Sequence, residues 1–105
     1  MGFIFPFEEI DKGKRIVLYG AGRVGQEFFT QIDTSGYCML VAWVDKDFEF
    51  YQSKGLNVID PKDIKKLDFD LLIVAISNKD IASAVILNLE KIINKNKILW
   101  KQYLE

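Results

Sequence analysis

The junction at residues 16–25 constrains this chain more than any other feature. An apolar run, Ile16-Val17-Leu18-Tyr19, passes directly into Gly20-Ala21-Gly22-Arg23-Val24-Gly25, and a helical pattern starts there. A short run with no polar alternation suits a strand buried on both faces, as in a parallel sheet. From Arg23 to Asp33 the apolar residues Val24, Phe28 and Ile32 recur every four positions, and Gly36 follows as a stop signal. Strand, glycine loop and helix in this order give each glycine its own task. Gly20 permits the tight turn off the strand, Gly22 lets a pyrophosphate approach bare backbone, and Gly25 lets the helix pack closely on the sheet. The free amides and aligned peptide dipoles at the helix start favour an anion, to which Arg23 adds a cation. The loop therefore predicts a site for a nucleotide-type ligand; the alternative is that the glycines serve turn and packing alone.

Strand and helix signals keep alternating downstream. Met39 to Val44 reads as a second strand that breaks into Asp45-Lys46-Asp47. Phe48 to Gly55 reads as a loop or ragged turn, and Leu56 to Ile59 as a short strand. Asp60-Pro61-Lys62-Asp63 supplies a cap, a proline at the first helical position and an acid in the first turn, so a short helix is expected to about Leu67. Leu71 to Ile76 is an uninterrupted apolar run suited to a central parallel strand. Ser77, with Asp80 three residues on, resembles a capping box for a helix whose inward face carries Ile81, Ala84, Val85, Leu89, Ile92 and Ile93. Asn94-Lys95-Asn96 turns the chain, and Ile98 to Trp100 closes as a last strand. Its 105 residues, half of them hydrophobic, fit one domain. The expected architecture is α/β: a Rossmann-like three-layer sandwich of about five parallel strands, order 3-2-1-4-5, with helices on both faces. Residues 15–100 would form its core and residues 1–14 an apolar amino-terminal arm.

Ligands of such sheets lie beyond the carboxyl ends of the strands. That places Gly20, Ala21, Gly22, Arg23, Val24 and Gly25 beside Asp45 and Lys46 after the second strand, and beside Ala75, Ser77 and Asn78 after the central one. Asp45 stands twenty residues beyond Gly25, where an acid would accept hydrogen bonds from ribose hydroxyls and repel a 2′-phosphate. NAD is thus expected over NADP; the alternative is that Asp45 only ends a strand. Ser77 is read mainly as a cap.

Other chemistry finds little footing. The chain has no histidine and one cysteine, Cys38, which lies in an apolar stretch as a small buried hydrophobe, so neither a metal site nor a disulfide is expected. Ser35, Ser53, Ser77 and Ser83 have no base to activate them. A formal charge of -1 with mixed signs argues against nucleic acid. No apolar run reaches membrane-spanning length, and the amino terminus lacks a basic leader, so a cytoplasmic protein is expected. The aromatics of Phe3-Ile4-Phe5-Pro6-Phe7 must cover something: the domain itself, or failing that a partner or second copy.

The segments Ile16 to Gly25, Val41 to Asp45 and Phe69 to Ile76 resemble the landmark segments of Rossmann-like nucleotide-binding domains in bacterial cell-surface polysaccharide enzymes, which include nucleotide-sugar dehydratases and epimerases and sugar acyltransferases. The resemblance implies that the domain holds NAD or a nucleotide sugar such as a UDP-sugar. It also implies a role in polysaccharide or nucleotide-sugar biosynthesis beside a covalently linked or separate catalytic domain. The Tyr-x-x-x-Lys pair of short-chain sugar epimerases is missing, since Tyr51 and Lys54 are three apart. A complete enzyme is not expected. A regulatory domain sensing NAD or an adenine nucleotide, or a scaffold that has lost its ligand, are the alternatives.

Overall fold

The computed structural model describes residues 2–103. Among them, one open parallel sheet contains β1 (Arg15–Tyr19), β2 (Met39–Val44), β3 (Leu71–Val74) and β4 (Ile98–Leu99), in the order β2-β1-β3-β4. Three helices, α1 (Arg23–Ser35), α2 (Phe48–Ser53) and α3 (Lys79–Leu89), join a 3₁₀ helix at Pro61–Lys66.

Alternation along the strands divides the core in two. Ile16, Leu18 and Ile73 meet Val24, Phe28 and Ile32 of α1 on one face; Val17, Leu72 and Val74 meet Ile64, Ala82 and Leu89 on the other. Helical elements therefore cover both faces, which is why the strand interiors are apolar, with Arg15 only at the start of β1. In β2 the alternation skips a beat. Ile16 pairs with Leu40 but Val17 with Ala42, so Val41 is an extra residue, and Val41 and Ala42 pack against the same cluster.

The expected fifth strand is not there. Of Leu56 to Ile59, only Ile59 bridges to Val44, through Ile59 N–H to the Trp43 carbonyl (2.8 Å) and Asp45 N–H to the Ile59 carbonyl (3.3 Å). Pairing stops because Pro61 has no N–H and the Asp60 carboxylate accepts from Lys62 N–H (2.9 Å), turning the chain into the 3₁₀ helix. Val58 is instead a fully buried plug. The expected order holds for the remaining strands.

Other boundaries also shift. Phe48–Ser53, read as a loop, is helical. The cap of α3 is Asn78, whose Oδ1 accepts from Ile81 N–H (3.0 Å), not Ser77. The helix ends at Leu89 rather than Ile93, and β4 ends before Trp100, whose indole N–H donates to the Ile76 carbonyl (2.7 Å).

The amino-terminal arm packs on its own domain. Phe5 is fully buried and meets Phe28 edge to face at 5.4 Å. Its backbone is tied to α1 by side chains: Glu27 accepts from Phe3 N–H, while Gln31 accepts from Phe5 N–H and donates to the Phe3 carbonyl, all within 2.9 Å. At the strand starts, Arg15 joins β1 to the segment leading into β3: its amide and guanidinium both donate to Asp70 (2.9 and 3.2 Å), and the guanidinium also reaches Asp68.

Candidate functional site

A cleft of about 540 Å³ opens beyond the carboxyl ends of β1, β2 and β3. Its position follows from topology: the chain leaves β1 toward β2 and leaves β3 toward β4, in opposite directions across the sheet, so the loops after β1 and β3 part and leave a crevice. The volume lies in the range of small-molecule sites.

The glycine loop forms its floor, and its three glycines differ in what the fold demands of them. Gly20 has φ +114°, and a β-carbon there would stand 2.8 Å from the Ala75 carbonyl oxygen. A β-carbon on Gly25 would overlap the Gly20 carbonyl, since α1 crosses directly over that peptide. Gly22 is otherwise: its φ of -76° suits any residue, and a β-carbon would meet only the Tyr51 hydroxyl, at 3.9 Å. Gly22 begins α1 with no side-chain cap bond, which leaves the first turn without a capping acceptor.

The loop is held from below and from the side. Gly20 N–H donates to the Val44 carbonyl (2.8 Å), and the buried Trp43 indole donates to the Gly20 carbonyl (2.7 Å). Gln26 Nε2 donates to the Ala21 carbonyl (2.8 Å). Asp45 completes the frame. One carboxylate oxygen accepts from Ala21 N–H (2.8 Å) and the other from Asp47 N–H (2.7 Å), so Asp45 ties the end of β2 to the loop after β1.

Of the residues singled out from sequence, all but Ala21 and Gly25 line the cleft. Ala21 is buried beneath the loop, and Gly25 faces the sheet. Arg23 lies at the cleft's edge, where its Nε donates to Glu27 (3.1 Å) and its guanidinium covers the Phe3 ring at 5.3 Å. Ser77 is half-buried in the wall, and Asn78 spends its side-chain oxygen on capping. Sequence reasoning missed Phe3, Tyr19, Asp47, Tyr51, Ile76, Ile81 and Val85. The last three were legible only as apolar helix or strand residues; the exposed side chain of Ile81 makes sense as part of this wall.

Two phenols flank the site. Burial, with Asp45 nearby, pushes the Tyr19 hydroxyl above its ordinary pKa; burial, then Asp45 and Asp47, does the same for Tyr51. Both remain neutral donors at physiological pH. The Cys38 thiol is raised by burial alone and lies away from the cleft. Among the described residues no cluster of histidine, cysteine, aspartate and glutamate is placed to hold a metal ion, and no helix is long and apolar enough to cross a membrane.

A family model described as "C2185-like, N-terminal" matches residues 12–99. No curated protein matches the chain.

Proposed function

The chain belongs to the C2185-like, N-terminal family, and we propose that this domain is a Rossmann-like nucleotide-binding module that holds NAD or a nucleotide sugar in the cleft above β1, β2 and β3. One observation carries the reading. Gly20 and Gly25 are required by the chain's own packing, but nothing in the fold requires glycine at position 22, and that position opens into the cleft at the start of α1. A ligand phosphate pressed against bare backbone supplies the missing reason.

The phosphates would rest on the loop from Gly22 to Val24, with Arg23 swinging from Glu27 to meet them. The ribose would face Asp45 and Lys46, and the remainder would lie along Ala75, Ser77 and Asn78. The module binds rather than catalyses, and in a cytoplasmic polysaccharide or nucleotide-sugar pathway it would serve a catalytic domain, linked or separate. A ligand-free scaffold is favoured by one fact: Asp45 already has a structural duty in closing the loop.

The test is a thermal-melting and calorimetry screen of the purified domain against NAD, NADP, UDP-sugars, adenine nucleotides and coenzyme A. A ligand bound only by the folded state raises the melting temperature by mass action. NAD or a UDP-sugar should do so, and Gly22→Val should remove the effect while preserving the fold. A midpoint that no compound moves at millimolar concentration would hand the reading to the scaffold.

A further inference from the structure

Tyr51 reaches the cleft with its hydroxyl toward the bare position of the loop, Gly22. The rest of the residue is fixed. Its amide donates to the Asp47 carbonyl (3.2 Å), and its carbonyl accepts from Lys54 and Leu56 amides (3.0 and 3.1 Å), which closes α2 onto the following turn. Its ring packs against the core on the α1 side and meets Phe50 edge to face at 5.2 Å. The hydroxyl, by contrast, makes no hydrogen bond to any of the described residues and lies 3.9 Å from where a Gly22 β-carbon would be.

A phosphodiester carries oxygens that accept and none that donate at neutral pH, so a site for it is built from donors. The backbone at Gly22 offers donors from the loop side only. The same cleft is lined by Asp45, Lys46, Asp47 and Tyr51. Asp45 and Asp47 would repel a phosphate at close range; Lys46 and the phenol can donate to it, and it is the phenol oxygen that lies 3.9 Å from a β-carbon built on Gly22. Burial, and after it the same carboxylates, raises the phenol's pKa above its ordinary value.

We infer that Tyr51 is a ligand-contacting residue, its hydroxyl donating to a phosphate oxygen of the nucleotide held at Gly22. This rests on the nucleotide-binding reading and adds to it a second wall, supplied by α2. The phosphate would then be held between the amides of the glycine loop and a phenol of α2, and α2 would gain a duty that its short length and exposed Phe50 do not explain.

The experiment is calorimetry of the domain with NAD and with UDP-N-acetylglucosamine, comparing the parent, Tyr51→Phe and Gly22→Val. Carbon-13 observation of the tyrosine ζ-carbon accompanies it, the Tyr51 signal being assigned by its loss in Tyr51→Phe. Tyr51→Phe keeps the ring and should melt with the parent. Its affinity for whichever probe binds should fall roughly ten- to a hundredfold, the effect of one hydrogen bond to a charged group. The Tyr51 signal should move on saturation with that probe. If Gly22→Val abolishes binding while Tyr51→Phe binds like the parent, or if the Tyr51 signal stays still, the inference fails and the nucleotide reading survives. If the parent binds neither probe, both fall together.

Discussion

Gly25 lies with its α-carbon against the carbonyl of Gly20, so that helix α1 and the turn off β1 touch backbone to backbone with no room for a side chain. The expected consequence is an asymmetry between two glycines three residues apart. In a helix, glycine to alanine ordinarily gains up to about 1 kcal/mol. At Gly25 the overlap should outweigh that gain, and Gly25→Ala should destabilise by about 1–3 kcal/mol, the usual range for overpacking. Gly22→Ala, at an uncrowded helix start, should cost only about 0.5–1 kcal/mol as a poorer cap. Urea denaturation of the two variants checks the order.

Trp43 should prove the main internal support of the loop. Its indole donates to the Gly20 carbonyl in a buried bond and stacks on Phe29 with centroids 4.6 Å apart. Trp43→Phe keeps an aromatic ring but leaves that carbonyl without a donor, and should cost about 2–4 kcal/mol. If nucleotide binds at the loop, the variant should also bind more weakly at temperatures where it is still folded, as calorimetry would show.

Asp45→Asn should do two things at once. The asparagine oxygen can accept from only one of the Ala21 and Asp47 amides, and the amide nitrogen must face the other donor, so stability should drop by about 1–3 kcal/mol. If the site takes a dinucleotide, the parent should prefer NAD to NADP, and the asparagine variant should narrow or invert that preference. An unchanged ratio would leave Asp45 with its loop-closing duty alone.

Acid should loosen the domain at the end of the sheet remote from the cleft. The Arg15 amide, and then its guanidinium, hold the Asp70 carboxyl below its ordinary pKa. A depressed folded-state pKa means that the contribution is present above the unfolded value, near 4, and is lost as pH falls through the folded one. Asp70→Asn should therefore be less stable than the parent at neutral pH and converge with it as the pH drops. Melting temperatures followed from neutral pH down toward pH 2 would reveal the convergence.

The amino-terminal arm should be released by a single side chain. Gln31 bonds both the Phe3 carbonyl and the Phe5 amide. Gln31→Ala leaves two partly buried backbone groups unpaired and should make the arm the first site of limited proteolysis, with the core melting only slightly earlier.

What the sequence made legible was whatever local pattern decides. The strands at Arg15–Tyr19 and Leu71–Val74 show as the apolar runs from Ile16 and from Leu71, α1 has its four-residue spacing, and Gly36 ends it with φ +63°. What stayed hidden depends on contacts far along the chain. Asp45 reaches Ala21 across twenty-four positions, and no pattern in Asp45-Lys46-Asp47 announces it. Six residues, Phe48–Ser53, are too few to show a helical period, so both α2 and the place of Tyr51 in the cleft escaped. Ser77 and Asn78 are equally good caps in composition, and the backbone chose the second. Leu56 to Ile59 has strand-forming residues, but tertiary packing used Val58 as a plug instead.

The extra residue in β2 works as a phase shifter. With Val41 present, Leu18 faces Trp43 across the sheet because the bulge takes Val41 out of the ladder; were Val41 paired in turn, Leu18 would face Ala42, and Trp43 would fall beside Tyr19 on the opposite face. The indole that grips Gly20, and the aspartate two positions later that closes the loop, thus keep their bearing only because the bulge absorbs one residue upstream of them. Removing Val41 would shorten the strand yet keep that bearing, whereas removing a residue between Trp43 and Asp45 would put the loop's supports out of step while leaving most of the sheet paired. The geometry of the cleft is in this sense counted out along β2 before the chain arrives there.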